Sequence, residues 1–267
     1  MSLFNLSDKV YAVTGASGAL AGKAAQYLAE NGAGVAFISR NQSKLDLAVK
    51  DLGPEVATFT CDVTDRKALK TSFDLILQRF GHIDGLINGA GGNMPGATIG
   101  PDMSVFDLDF NDYEKVLQLN LSGTLLPSLV FGEYFAERKQ GAIVNFSSAS
   151  SQQALTRVLG YSNAKAAVDN LTRWMANDFA QKFGDAIRVN AVCPGFFIGD
   201  QNRSLLLNSD GSLTDRGRQI INNTPMGRFG DAQEICGAIH YLLTDASRFV
   251  TGQVLHIDGG FGIYSGV

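Results

Sequence analysis

The chain has 267 residues, 45% of them apolar, with 22 Lys and Arg against 26 Asp and Glu. Charged residues at 18%, spread among apolar ones, exclude disorder as the main state, and a net charge of −4 lacks the basic excess of a nucleic-acid binder. No apolar run approaches the roughly 18 residues that cross a bilayer, and Met1 to Lys9 lack the apolar stretch of a signal peptide. Cys61, Cys193 and Cys236 are widely separated and there are only 3 histidines, which argues against a disulfide framework or a Cys/His metal site. The expectation is one cytoplasmic, metal-free domain over residues 1–267.

In chain order, short β-branched runs bounded by Gly, Asp, Asn or Ser predict strands at Val10–Val13, Val35–Ile38, Val56–Phe59, Leu86–Ile87, Ala142–Phe146, Ile187–Val192 and Val254–Ile257. Helical periods fill the gaps at Ala21–Asn31, Gln42–Leu52, Asp65–Phe80, Tyr113–Lys139, Tyr161–Phe183 and Ala232–Thr244. In the last, Ile235, Ile239, Leu242 and Leu243 mark one apolar face. Strand–helix alternation implies a doubly wound parallel sheet of seven strands with helices on both faces, an α/β Rossmann fold. The least patterned stretch, 194–230, reads as a substrate lid or binding loop.

Between the first strand and the first helix lies Thr14-Gly15-Ala16-Ser17-Gly18-Ala19-Leu20-Ala21. Small residues at such a turn let a pyrophosphate approach a helix N-terminus. After the second strand come Ser39 and Arg40. A carboxylate there would suit the ribose hydroxyls of NAD; a non-acidic serine followed by arginine points to the 2′-phosphate of NADP, the alternative being an Arg40 stacked on adenine or solvated. Tyr161-x-x-x-Lys165 puts a phenol and an ammonium one helical turn apart. With 7 tyrosines in the chain, that pair is weak evidence alone; Ser148 and Asn120, upstream and in order, strengthen it.

These motifs resemble the short-chain dehydrogenase/reductase family across essentially the whole chain. Its turn reads T-G-x-x-x-G-x-G, so Ala19 and Ala21 stand where the family has its second and third glycines. Asn88-Gly89-Ala90-Gly91 resembles its Asn-Asn-Ala-Gly motif with Gly89 replacing the second Asn, and Asp62-Val63 resembles its adenine-contacting pair. Pro194-Gly195-Phe196-Phe197 resembles its Pro-Gly motif, with Gly199 where a threonine usually follows. The resemblance implies a cofactor site of Gly15, Ser17, Gly18, Ala19, Leu20, Ser39, Arg40, Asp62, Val63, Asn88, Gly89, Ala90, Gly91, Tyr161, Lys165, Pro194, Gly195 and Phe197. It also implies a tetrad: Ser148 bonds the substrate oxygen, Tyr161 is general acid/base, Lys165 lowers its pKa, and Asn120 holds a relay water.

Asn93 after the fourth strand, Gln201, Asn202 and Arg203 in the lid, and the Phe261–Val267 tail resemble the sugar-acid branch, nearest the fructuronate reductases (D-mannonate oxidoreductases). A hexuronate wants a bidentate arginine and amides, so Ser148, Asn93, Arg157, Gln201, Asn202 and Arg203 are the substrate candidates. Gluconate 5-dehydrogenase-like chemistry, 3-oxoacyl reduction on a carrier protein and a non-enzymatic nucleotide sensor are the alternatives. By resemblance, the long helices would pair in a homodimer or homotetramer.

Overall fold

The computed structural model describes residues 2–199 and 202–266. Seven strands form one parallel sheet in the order β3-β2-β1-β4-β5-β6-β7. They are β1 Val10–Thr14, β2 Gly34–Ser39, β3 Val56–Thr60, β4 Gly85–Asn88, β5 Gly141–Phe146, β6 Ile187–Pro194 and β7 Val254–Ile257. The helices are α1 Ala19–Glu30, α2 Gln42–Val49, α3 Arg66–Phe80, α4 Phe110–Leu117, α5 Gly123–Arg138, α6 Leu159–Phe183, α7 Arg203–Leu206, α8 Asp215–Asn222 and α9 Cys236–Leu243. Strand alternation sorts the core. Tyr11, Val13, Val35, Phe37, Ile87 and Val144 pack with α1, α2 and α9, while Ala12, Ala36, Ile38, Leu86, Ile143 and Val189 pack with α3, α5 and α6. Both faces are thus covered, as a parallel sheet requires.

Two expected helices are interrupted. Tyr113–Lys139 is not one helix: a π-helical turn at Gln118–Ser122 separates α4 from α5. The cause is a long-range bond, because the Asn120 amide donates to the Gly92 carbonyl at 2.7 Å and to Val116 O at 2.8 Å. Pro127 inside α5 further removes an N–H donor. Ala232–Thr244 opens as a 3₁₀ turn, Ala232–Ile235, with Asp231 and Glu234 forming a capping box before α9 begins.

The amino ends of the strands are held by charge. Asp84, nearly buried, accepts from Val10 N–H at 2.9 Å and lies 3.2 Å from His82, 3.6 Å from Lys9 and 3.9 Å from Arg138. On β6, Arg188 caps the end of α9 by donating to Leu242 O (2.7 Å) and Thr244 O (3.2 Å). These ties leave the carboxyl ends as the open side, and the strand order reverses between β1 and β4. In such sheets that crevice is where ligands bind.

Candidate active site at the carboxyl ends of the strands

At the crevice, Thr14 accepts from Gly89 N–H (3.1 Å) and Ala90 N–H (3.3 Å), tying β1 to the segment after β4. Gly15 adopts φ +67°, and a Cβ there would lie 2.5 Å from Gly89 O; only glycine fits. Gly18 caps α1 without a side-chain hydrogen bond. Among the described residues, no side chain caps the first helical N–H groups, an arrangement that fits a pyrophosphate.

Two departures from the family turn are explained in pairs. A Cβ on Gly89 would lie 2.4 Å from the Ala21 Cβ, and a Cβ on Gly199 would lie 3.3 Å from the Ala19 Cβ. Each alanine that replaces a family glycine therefore faces a glycine that replaces a larger residue. A methyl group at 89 and one at 21 would overlap, so this packing has room for one of them.

Around the adenosine end, the Ser17 and Ser39 hydroxyls are 2.7 Å apart, and Arg40, largely exposed, lies 4.0 Å from Asp62. Asp62 is desolvated, which alone would raise its pKa. Hydrogen bonds from Thr64 N–H and Oγ1, at 2.9 and 2.7 Å, together with Arg40, bring it below the ordinary value. Val63 is buried, seated where a Cβ on Gly123 would touch it at 2.9 Å.

Several residues expected at the cofactor also tie the scaffold together. The Asn88 side chain is buried, donating to Ser128 Oγ (2.8 Å) and Asn145 Oδ1 (2.9 Å), and Asn145 in turn donates to Thr172 (2.9 Å). That network links β4, β5, α5 and α6. A Cβ on Gly195 would meet the Asp258 Cα at 2.7 Å, so this glycine admits the end of β7 after Pro194. Phe197 packs over Gly230. A Cβ on Gly91 would lie 2.6 Å from Asn120 Oδ1 and 3.4 Å from Lys165 Nζ, so Gly91 forms the wall of the reactive centre, and Leu20 packs partly against the core.

The reactive centre lies at the end of β5. Ser148, in extended conformation, caps the turn Ala149–Ser151 and accepts from Ser150 Oγ at 3.1 Å. Burial raises the Tyr161 phenol above its ordinary pKa, Ser148 pulls it back by hydrogen bonding, and Cys193 raises it further. Lys165, buried on the next turn of α6, donates to Phe146 O at 2.7 Å and sits 5.5 Å from the centre of the Tyr161 ring. Desolvation pulls its pKa down to about 8, against the opposing influence of Asp169. Ser148 is thus the group that lowers the resting phenol by hydrogen bonding, with the Lys165 ammonium close by. At neutral pH the ammonium remains charged and is placed to favour a phenolate once one forms.

Asn120 is fully buried, and its amide N–H groups go to Gly92 and Val116 while its oxygen accepts from Gly92 N–H at 3.1 Å. Its side chain positions the Gly91–Gly92 wall, with both amide hydrogens engaged. The sequence reading also missed Asp169, one turn beyond Lys165. It is buried, accepts from Ser151 Oγ at 2.7 Å, and has Oδ1 without a partner among the described residues. Its i+4 spacing from Lys165 was the available signal.

The substrate candidates separate. Arg203 stands exposed on the single turn of α7. The Asn202 amide is spent on its own loop, donating to Phe197 O and accepting from Gly199 N–H, each at 2.8 Å. Asn93 donates to Thr98 at 2.8 Å. Gln201 lies outside the described residues. Arg157 follows Thr156 in the connector from Ser148 to Tyr161, and an open cavity of about 180 Å³ lies between that connector, α8 and the tail at Phe261 and Tyr264. It is Arg216 of α8, absent from the sequence reading, that lines this cavity.

A parallel sheet in this order, a glycine turn under an uncapped helix, and Ser148, Tyr161 and Lys165 clustered beyond β5 define a dinucleotide-linked oxidoreductase. A family model described as enoyl-(acyl carrier protein) reductase matches residues 15–262. The chain belongs to the short-chain dehydrogenase/reductase family, and its relatives there include the sugar-acid branch. It is 41% identical to an uncharacterized Bacillus subtilis oxidoreductase, UxuB, over 98% of each chain. A Haemophilus influenzae protein described provisionally as a D-mannonate oxidoreductase, solved with bound NAD, is 39% identical with a TM-score of 0.91 over 98% of each chain. A Burkholderia cenocepacia gluconate 5-dehydrogenase in complex with NADP and tartrate is 30% identical with a TM-score of 0.82, covering 97% of this chain and 96% of that one.

Proposed function

We propose that the chain transfers a hydride reversibly between NAD(P) and the keto or secondary-alcohol carbon of a sugar acid, with fructuronate and D-mannonate as the preferred pair. The observation that carries the chemistry is the convergence of Ser148, Tyr161 and Lys165, with Lys165 against the Gly91 wall that follows β4. The relatives' gluconate and mannonate names support the substrate class.

The dinucleotide, when bound, supplies or receives the hydride; Gly15, the start of α1, Arg40 and Lys165 would hold it. In the reductive direction, Ser148 donates a hydrogen bond to the substrate carbonyl oxygen. Charge developing on that oxygen is met by the Tyr161 proton, and the phenolate left behind lies next to the Lys165 ammonium. Oxidation reverses each transfer. Arg40, exposed and held only at 4.0 Å from Asp62, is free to turn to a 2′-phosphate, and we assign NADP as the favoured cofactor on that ground. Residues 194–230 act as the lid over the substrate. A homo-oligomer formed through α5 and α6 is supported by Leu129 and Trp174, exposed apolar side chains on those helices.

The test is a spectrophotometric screen of NADH and NADPH against fructuronate, tagaturonate, 5-ketogluconate and simple ketones. Fructuronate turnover with an NADPH preference that Arg40→Ala abolishes is expected. A wild-type preference for NADH overturns the role of Arg40, and turnover of simple ketones alone overturns the substrate class.

A further inference from the structure

Arg216 and Thr156 stand together on the wall of the cavity, and Arg157 follows Thr156 in the chain. Arg216 donates to Thr156 Oγ1 at 3.1 Å, which draws its guanidinium onto the connector immediately beside Arg157. Arg157 itself holds φ +79°, a left-handed conformation rare for arginine, with its carbonyl accepting from Ile99 N–H at 3.0 Å. Such strain persists where surrounding contacts over-determine it, and it gathers at ligand sites. The acid next in sequence, Asp215, is engaged by Arg218. Among the described residues no carboxylate lies within ion-pair distance of Arg157 or Arg216. Burial and the charge of Arg157 both disfavour the charged form of Arg216. A partly buried guanidinium under the charge of a second one, with no acid beside it, is unfavourable, and an anion at Arg216 relieves both the repulsion and the desolvation.

We infer that Arg157 and Arg216 together bind the carboxylate of the substrate, which makes the ligand of this cavity a polyhydroxylated carboxylic acid. This assignment rests on the sugar-acid reading above and moves the carboxylate contact from Arg203 to Arg216. The same connector carries Ser148 at one end and Tyr161 at the other. An acid clamped at Arg157 is thereby tied to the segment that presents the proton donor, and the carboxylate sets which carbonyl carbon reaches Tyr161. Gln219 and Asn223, one and two turns further along α8, line the same cavity and supply amides for the hydroxyl groups.

The experiment compares Arg216→Gln, Arg157→Gln and Arg216→Lys with the wild type on fructuronate and on fructose, its neutral counterpart. Thermal melts by circular dichroism check the fold. A charge-assisted contact predicts that Arg216→Gln raises KM for fructuronate roughly tenfold to hundredfold with kcat changed less than threefold. Arg157→Gln should act in the same direction, and Arg216→Lys should recover part of the loss. KM for fructose, where measurable, should move much less. If Arg216→Gln, folded as judged by its melt, leaves KM for fructuronate unchanged, or affects acid and neutral ketose equally, the carboxylate assignment is overturned while the sugar-acid reading stands. If the wild type reduces fructose but no sugar acid, the sugar-acid reading fails, and this assignment with it.

Discussion

Replacing Gly89 by alanine adds one methyl group at a position whose backbone tolerates it, so its effect reports packing alone. The new Cβ would lie 2.4 Å from the Ala21 Cβ and 2.9 Å from Thr14 O, against an ordinary carbon–carbon contact of about 3.5–4.0 Å. Overpacking a core costs about 1–3 kcal/mol, and with two contacts this short the upper part of that range is expected. Ala21→Gly alone should cost about 1 kcal/mol, the usual penalty for glycine inside a helix. Made together, the substitutions return the methyl to the side on which the family carries it and remove the shorter contact, while that with Thr14 O remains. The double variant should therefore be more stable than the sum of the singles by at least about 1 kcal/mol. Urea unfolding at one fixed protein concentration measures all four species. Additivity within about 0.5 kcal/mol would refute the exchange of methyl groups between the turn and the segment after β4.

Asp84→Ala leaves Val10 N–H, Lys9, His82 and Arg138 without their buried acceptor, so unfolding free energy should fall by about 2–3 kcal/mol. Its position at the far ends of the strands leaves kcat close to wild type, and a kcat loss in the folded variant would contradict that separation. Lys165 is held at about 8 by burial against an ordinary 10.5, so between those values the unfolded chain binds the extra proton. Wild-type stability relative to Lys165→Met should thus rise as pH goes from 8 to 10.5, and thermal melts showing a constant difference would contradict the lowered value. Asp169→Asn removes a negative charge that favours the Lys165 ammonium. The high-pH limb of kcat/KM for reduction should move to lower pH, whereas a merely structural loss would leave the limb in place.

The strands were legible because each β-branched run is short and bounded by turn residues, and the helix of Tyr161 and Lys165 because i,i+4 spacing directly sets which side chains share a face. The break at Gln118–Ser122 was not, since its cause is an amide reaching Gly92, 28 residues away in the chain. Spacing likewise could not tell that the side chains of Asn88 and Asn120 are spent on the scaffold, because a polar residue after a strand can face either cleft or core. In sequence, the alanines at 19 and 21 read only as replacements of two family glycines. Their compensation by Gly199 and Gly89 exists only across elements that meet in three dimensions. Arg216 carried no motif at all and gained meaning only when α8 placed it against Thr156.

Tyr161→Phe removes one hydroxyl and tests the proton transfer most directly. With fructuronate and NADPH, kcat should fall by roughly 100-fold or more, while binding of NADPH, followed by its fluorescence, should remain within a few-fold of wild type. Turnover retained at the wild-type rate would show that the proton comes from another group and that Tyr161 is not the acid.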